Sequence, residues 1–148
     1  MPNSILVCIN DSVSSRAALE FFASMAMCPE ECNITLLHLF RQVSASEELM
    51  GRKFTEQQPA RFQAVLEKAK DSLVEFGYNP NLIETKLITE TFPTVAEGIL
   101  EQCREQHYDL VIIGRKRMSK AEEFVLGDVS IKLVRALEGT AVLVVKTK

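Results

Sequence analysis

Tyr108-Asp109-Leu110-Val111-Ile112-Ile113 is a short, largely apolar run that stops at Gly114. A strand with one wet face alternates apolar and polar residues. A run without alternation, this short and rich in β-branched side chains, reads as a strand buried on both faces. Residues 4–9 (Ser-Ile-Leu-Val-Cys-Ile), 33–39 (Asn-Ile-Thr-Leu-Leu-His-Leu) and 141–145 (Ala-Val-Leu-Val-Val) share that character, and residues 82–89 read as one more strand.

Helical signals separate these runs. Asn10-Asp11-Ser12 breaks the first strand with turn and cap chemistry. Ala18, Phe21, Phe22 and Met25 then recur at helical spacing, and Pro29 lies beyond the end of that helix. Residues 41–58 are polar and read as a long loop with room for one short helix after Ser44. Phe62, Leu66, Ala69, Leu73 and Phe76 alternate in steps of four and three, and Gly77 is placed to cap them. Thr94 and Glu97 have the spacing of a capping box ahead of Ile99, Leu100 and Cys103. Val129, Leu133 and Leu137 mark a last helix, closed by Gly139. Five strands alternate with four helices. Parallel strands need such crossovers, so the expected fold is an open parallel five-stranded α/β sheet with helices on both faces.

Composition narrows the function. With 148 residues the chain suits one domain, residues 1–148, large enough to fold without disulfide or metal. A formal net charge of −3 gives no reason to expect nucleic acid or an anionic membrane. The early apolar run is too short for a signal peptide or a membrane span, so the expected location is the cytoplasm. Cys8 and Cys103 read as small buried hydrophobes. Cys28 and Cys32 flank a loop, and with only His38 and His107 available a zinc site is not expected. Reduced, structurally neutral thiols are the simpler reading, and a redox role for that pair stays open.

In open parallel sheets ligands bind beyond the carboxyl ends of the strands. Asn10, Asp11 and Ser12 and the stretch from Gly114 to Ser130 both lie there, and together they form the candidate site. Neither a Walker A loop nor a dinucleotide fingerprint is present. Instead Arg115, Lys116, Arg117 and Lys120 precede Gly127, which reads as the start of a helix and hence an anion site. Glu122, Glu123 and Asp128 nearly cancel this charge, and a solvated loop is the competing reading. The site offers no nucleophile–base pair, so an enzyme is not expected.

The whole chain resembles the universal stress protein family. Residues 5–12 (Ile-Leu-Val-Cys-Ile-Asn-Asp-Ser) are similar to its opening strand and turn. Residues 34–39, 109–114 and 141–146 resemble its second, fourth and closing strands. The family's nucleotide motif is Gly, two residues, Gly, nine residues, Gly, then Ser or Thr. Here the same spacing carries Gly114, Arg117, Gly127 and Asp128.

The resemblance implies an adenine nucleotide alpha hydrolase-like, Rossmann-like sandwich. It also implies roles by position. Asn10 stands where the family has an aspartate near the base, with Asp11 beside it, and Leu39 lies beside the base. Gly114 and Arg117, with Arg115 between them, lie near ribose and phosphates. Gly127, Asp128, Val129 and Ser130 form the phosphate-holding helix start.

Two motif positions are changed. Arg117 adds a side chain where glycine lets backbone amides approach phosphate. Asp128 replaces a hydroxyl donor with an acceptor-only anion. A carboxylate about 4 Å from a phosphate charge costs about 1 kcal/mol in bulk water and about 4 at an effective dielectric of 20. Arg117 and Asp128 are expected to pair and close the site. The expectation is a stress-response protein without tight ATP binding, cofactor or metal. The alternative is an ATP- or AMP-binding switch with a modified phosphate loop. The resemblance further implies a homodimer through the last strand, by Ala141, Val142, Leu143, Val144 and Val145. A covered edge with Lys146 and Lys148 as gatekeepers is the competing reading. Other protein contacts are expected on residues 41–58.

Overall fold

β1 (Ser4–Cys8) stands at the centre of a five-stranded parallel sheet of order β3-β2-β1-β4-β5. The computed structural model describes residues 3–25, 29–41, 52–116 and 129–147. The remaining strands are β2 (Asn33–Arg41), β3 (Ile83–Phe92), β4 (Leu110–Lys116) and β5 (Ala141–Thr147). The helices are α1 (Val13–Met25), α2 (Arg52–Glu75), α3 (Val95–Glu105) and α4 (Val129–Ala136). The expected α/β architecture is therefore present.

Strand residues point alternately to the two faces, and this divides the core. Ile5 and Val7 of β1 join Leu19 and Phe22 of α1 and Leu66 and Leu73 of α2 on one face. Leu6, Leu37 and Val111 join Ile99 of α3 and Leu133 of α4 on the other. Each fully buried Leu, Ile or Phe contributes about 1.5–3 kcal/mol relative to exposure. An apolar run buried on both faces is what this two-sided packing requires.

Local chemistry fixes the element ends. Thr94 Oγ1 accepts from the Glu97 N–H at 3.2 Å, the expected N-cap of α3. After α2, Gly77 has φ +98°, the Tyr78 N–H reaches the Leu73 carbonyl at 3.1 Å, and the Gly77 N–H reaches Val74 at 3.0 Å. This is a Schellman end, with Leu73 and Tyr78 packed in one cluster.

Three boundaries depart from expectation. Residues 52–58 are helical rather than loop, because Arg, Lys, Glu and Gln extend α2 by intrinsic propensity without an apolar stripe to reveal it. Pro59 lies inside that helix, where it removes one donor and does not end it. Residues 42–51 lie outside the described residues. Gly114, Arg115 and Lys116 are not loop: they extend β4 and pair with Val145, Lys146 and Thr147. β3 begins after a 3-10 turn (Pro80–Leu82) and runs to Phe92, with an irregular register opposite Leu39 and Phe40.

Candidate functional site

The first turn after β1 is tied by its own side chains. Asn10 Oδ1 accepts from the Ser12 N–H at 2.9 Å, an Asx turn. Ser12 Oγ accepts from the Ser15 N–H at 3.1 Å and so caps α1. Ser15 Oγ in turn accepts from the Asn10 N–H at 3.0 Å. Asp11 points to an ion pair with Arg61 of α2. The hydrogen bond and charge of Arg61 hold the Asp11 carboxyl below the ordinary carboxylate range.

Gly114 meets this turn from β4. A Cβ there would lie 2.1 Å from the Ser14 carbonyl oxygen and 2.8 Å from the Ser15 nitrogen. The glycine is thus required by the backbone of α1, whatever else the segment does.

The carboxyl ends of β1, β2 and β4, with α3 and α4, enclose a cleft of about 190 Å³. Asn10, Leu39, Gly114 and Val129 line it together, as four of the residues anticipated from sequence. Most of the remaining wall is apolar, including Cys8, Leu37, Val95, Ile99 and Ile113. Burial pushes the Cys8 thiol up to about 12, so it is not a thiolate nucleophile. The volume suits a single ring system, below the ~300–1,000 Å³ of sites for larger ligands.

The other anticipated residues are distributed differently. Asp11 lies across the turn, in the Arg61 pair. Arg115 is half-buried on β4, and Ser130 is buried in the first turn of α4. Arg117, Gly127 and Asp128 lie outside the described residues, and with them the expected Arg117–Asp128 pair. Cys28 lies there too, while Cys32 is buried in the core. Among the described residues no cluster of His, Cys, Asp and Glu is arranged to hold a metal. No described helix is long and apolar enough to cross a membrane.

His38, within β2, is buried and also lines the cleft. Its Nδ1–H donates to the Ile9 carbonyl at 2.7 Å, and its ring stacks on Phe62 with centroids 3.8 Å apart. Burial pushes its pKa below the ordinary value, partly offset by the Ile9 carbonyl. His107 follows the C-cap of α3 and contacts Asp109 at 3.4 Å.

Sequence reading missed the wall formed by Leu37, Val95, Ile99 and Ile113. Two-residue alternation puts Leu37 beside Leu39, a signal that was present. Arg61 had none, since its partner lies 50 positions away.

A family profile described as the Universal stress protein family matches residues 1–146. No curated protein matches the chain by sequence. Among solved structures, a universal stress protein in complex with cAMP is similar at TM-score 0.70 and 19% identity, covering 99% of this chain and 98% of its own. An Arabidopsis thaliana universal stress protein family protein with AMP bound gives 0.67 and 21%, with 99% and 93% covered. The Lactobacillus plantarum UspA gives 0.69 and 13%, with 97% of each chain covered. With the profile spanning nearly the whole chain, and the sheet order and cleft in place, the chain belongs to the universal stress protein family.

Proposed function

We propose that this chain is a non-enzymatic stress-response protein that acts as a homodimer in the cytoplasm and does not bind ATP tightly. The observation that carries the nucleotide part is the Asn10 carboxamide. Its only oxygen already accepts from the Ser12 N–H. The family's aspartate would offer a second, charged oxygen to a ligand donor, whereas the free end of Asn10 is an amide donor and carries no charge. Arg117 and Asp128 work in the same direction.

Titration calorimetry tests this reading with Mg-ATP and with AMP. Weak or absent ATP binding is expected, and micromolar ATP binding refutes it. Asn10→Asp adds a second, charged acceptor and is expected to tighten AMP binding by about tenfold, the worth of one charged hydrogen bond.

A second reading, an adenine-nucleotide switch, is favoured by the convergence of Asn10, Leu39, Gly114 and Val129 on one ring-sized cleft. The similar structures with cAMP and AMP bound fit that reading. Micromolar AMP binding by the unmodified chain decides for it.

The dimer reading is supported by β5. It is an edge strand, and Val142, Leu143, Val144 and Val145 are each only partly covered. Ile131 and Val134 of the neighbouring α4 are also exposed. The Ala141 N–H donates to Asp109, so by alternation the N–H groups of Val142 and Val144 face outward. Val144→Pro removes an outward donor without removing a bond to β4. Light scattering is expected to show a dimer that this substitution turns into a monomer with unchanged circular dichroism. A monomeric unmodified chain refutes the reading.

A further inference from the structure

A second cleft, of about 250 Å³, lies between α1 and α2 on the opposite face of the sheet from the ring-sized cleft. Its apolar wall is formed by Ile9, Leu19, Val65 and Ala69. Arg16 stands on the α1 side and Lys68 on the α2 side. Asp11 and Glu20 are the acidic residues of the lining. Arg61 already neutralises Asp11. Among the described residues neither Arg16 nor Lys68 has an ion-pair partner. With Arg61 counted through its pair with Asp11, three cations stand near two carboxylates among the described residues, one positive charge in excess.

We propose that this cleft binds a small organic carboxylate with an apolar tail, its carboxylate held between Arg16 and Lys68 and its tail laid on Leu19, Val65 and Ala69. A bare anion makes no use of the apolar wall, and a neutral apolar molecule leaves both cations unused. The volume limits the tail to a single ring or a short chain. Charge-assisted contact between a carboxylate and two cations is stronger than neutral hydrogen bonding and sets the polarity of the ligand. The inference does not rest on nucleotide binding, since the residues that hold the tail belong to the other half of the core. The two clefts do share Ile9, Asn10 and Ser15 as a common wall. An occupant of one therefore touches the turn that shapes the other.

Methyl NMR of the full chain tests the proposal, with octanoate, octanol and inorganic phosphate as probes. Octanoate is expected to shift the Leu19, Val65 and Ala69 methyls saturably. Octanol and phosphate are each expected to bind about tenfold more weakly or not at all. Arg16→Gln combined with Lys68→Gln changes only exposed side chains. It is expected to weaken octanoate about tenfold and leave octanol unchanged. Absence of saturable shifts overturns the proposal. So does equal binding of octanol or phosphate, or octanoate binding that the double substitution leaves unchanged.

Discussion

Gly114→Ala puts a methyl group into the backbone of α1. The added carbon would lie 2.1 Å from the Ser14 carbonyl oxygen and 2.4 Å from its carbon. Ordinary contact needs more than an ångström beyond that, and both obstructing atoms are main chain. The first turn of α1 must therefore retreat, straining the Ser12 cap and the Asn10–Ser15 hydrogen bond. Overpacking against yielding side chains costs about 1–3 kcal/mol, and against backbone the upper end or more is expected. At about 2–4 °C per kcal/mol for a chain of this size, Tm falls by about 6–12 °C. Gly98→Ala is the internal comparison. Its added carbon would meet Leu39 Cδ1 at 2.8 Å and Phe92 Cδ2 at 3.0 Å, the outer parts of side chains that can turn. Up to ~1 kcal/mol of helix propensity gained by replacing glycine offsets that crowding. Thermal unfolding of both variants without ligand, followed by circular dichroism, reads the difference. Equal shifts for the two, or an unchanged Tm for Gly114→Ala, refute the reasoning that α1 packing fixes this glycine.

His38 favours its neutral form in the folded chain, with a pKa below the ordinary 6.5. The unfolded chain therefore takes up the proton first. The stabilisation is whole above pH 6.5 and declines as pH falls from there towards the folded value. Urea midpoints measured across that window are expected to drop, and His38→Gln is expected to flatten the profile; an unchanged slope in that variant refutes the assignment. The Cys8 thiol, held near 12 by burial, is expected to resist iodoacetamide in the native chain and to react once urea unfolds it. Native-state labelling of Cys8 at the rate of a model thiol would contradict that burial.

Much of the architecture is legible in the residues because the strands are short, apolar on both faces and punctuated by caps. Thr94 announces α3, and Gly77 announces the end of α2. Residues 52–58 were hidden because a helix of charged and amide side chains has no apolar period to detect. Arg115 and Lys116 were misread for the opposite reason: charge suggested a loop, yet backbone pairing with β5 decides their conformation. At the candidate site, Asn10, Leu39, Gly114 and Val129 are traceable to strand ends and helix starts. What the sequence hides is the purpose of Gly114, whose glycine answers to α1, and the partner of Asp11, which comes from a distant helix.

The position of β1 has a consequence for how the chain assembles. Its first neighbour, β2, begins only some tens of residues later, and Ser4 pairs with Asn33. Its other neighbour is β4, where the Ser4 N–H donates to the Asp109 carboxylate across 105 positions of sequence. On a ribosome the pairing of β1, β2 and β3 becomes possible well before β4 has been made. Until then the inner edge of β1, with Ile5, Leu6 and Val7, is an open apolar template. Such long-range parallel pairing is slow because loop-closure entropy is lost before the contacts form. The strand at the centre of the finished sheet is thus the edge most exposed to wrong partners during synthesis.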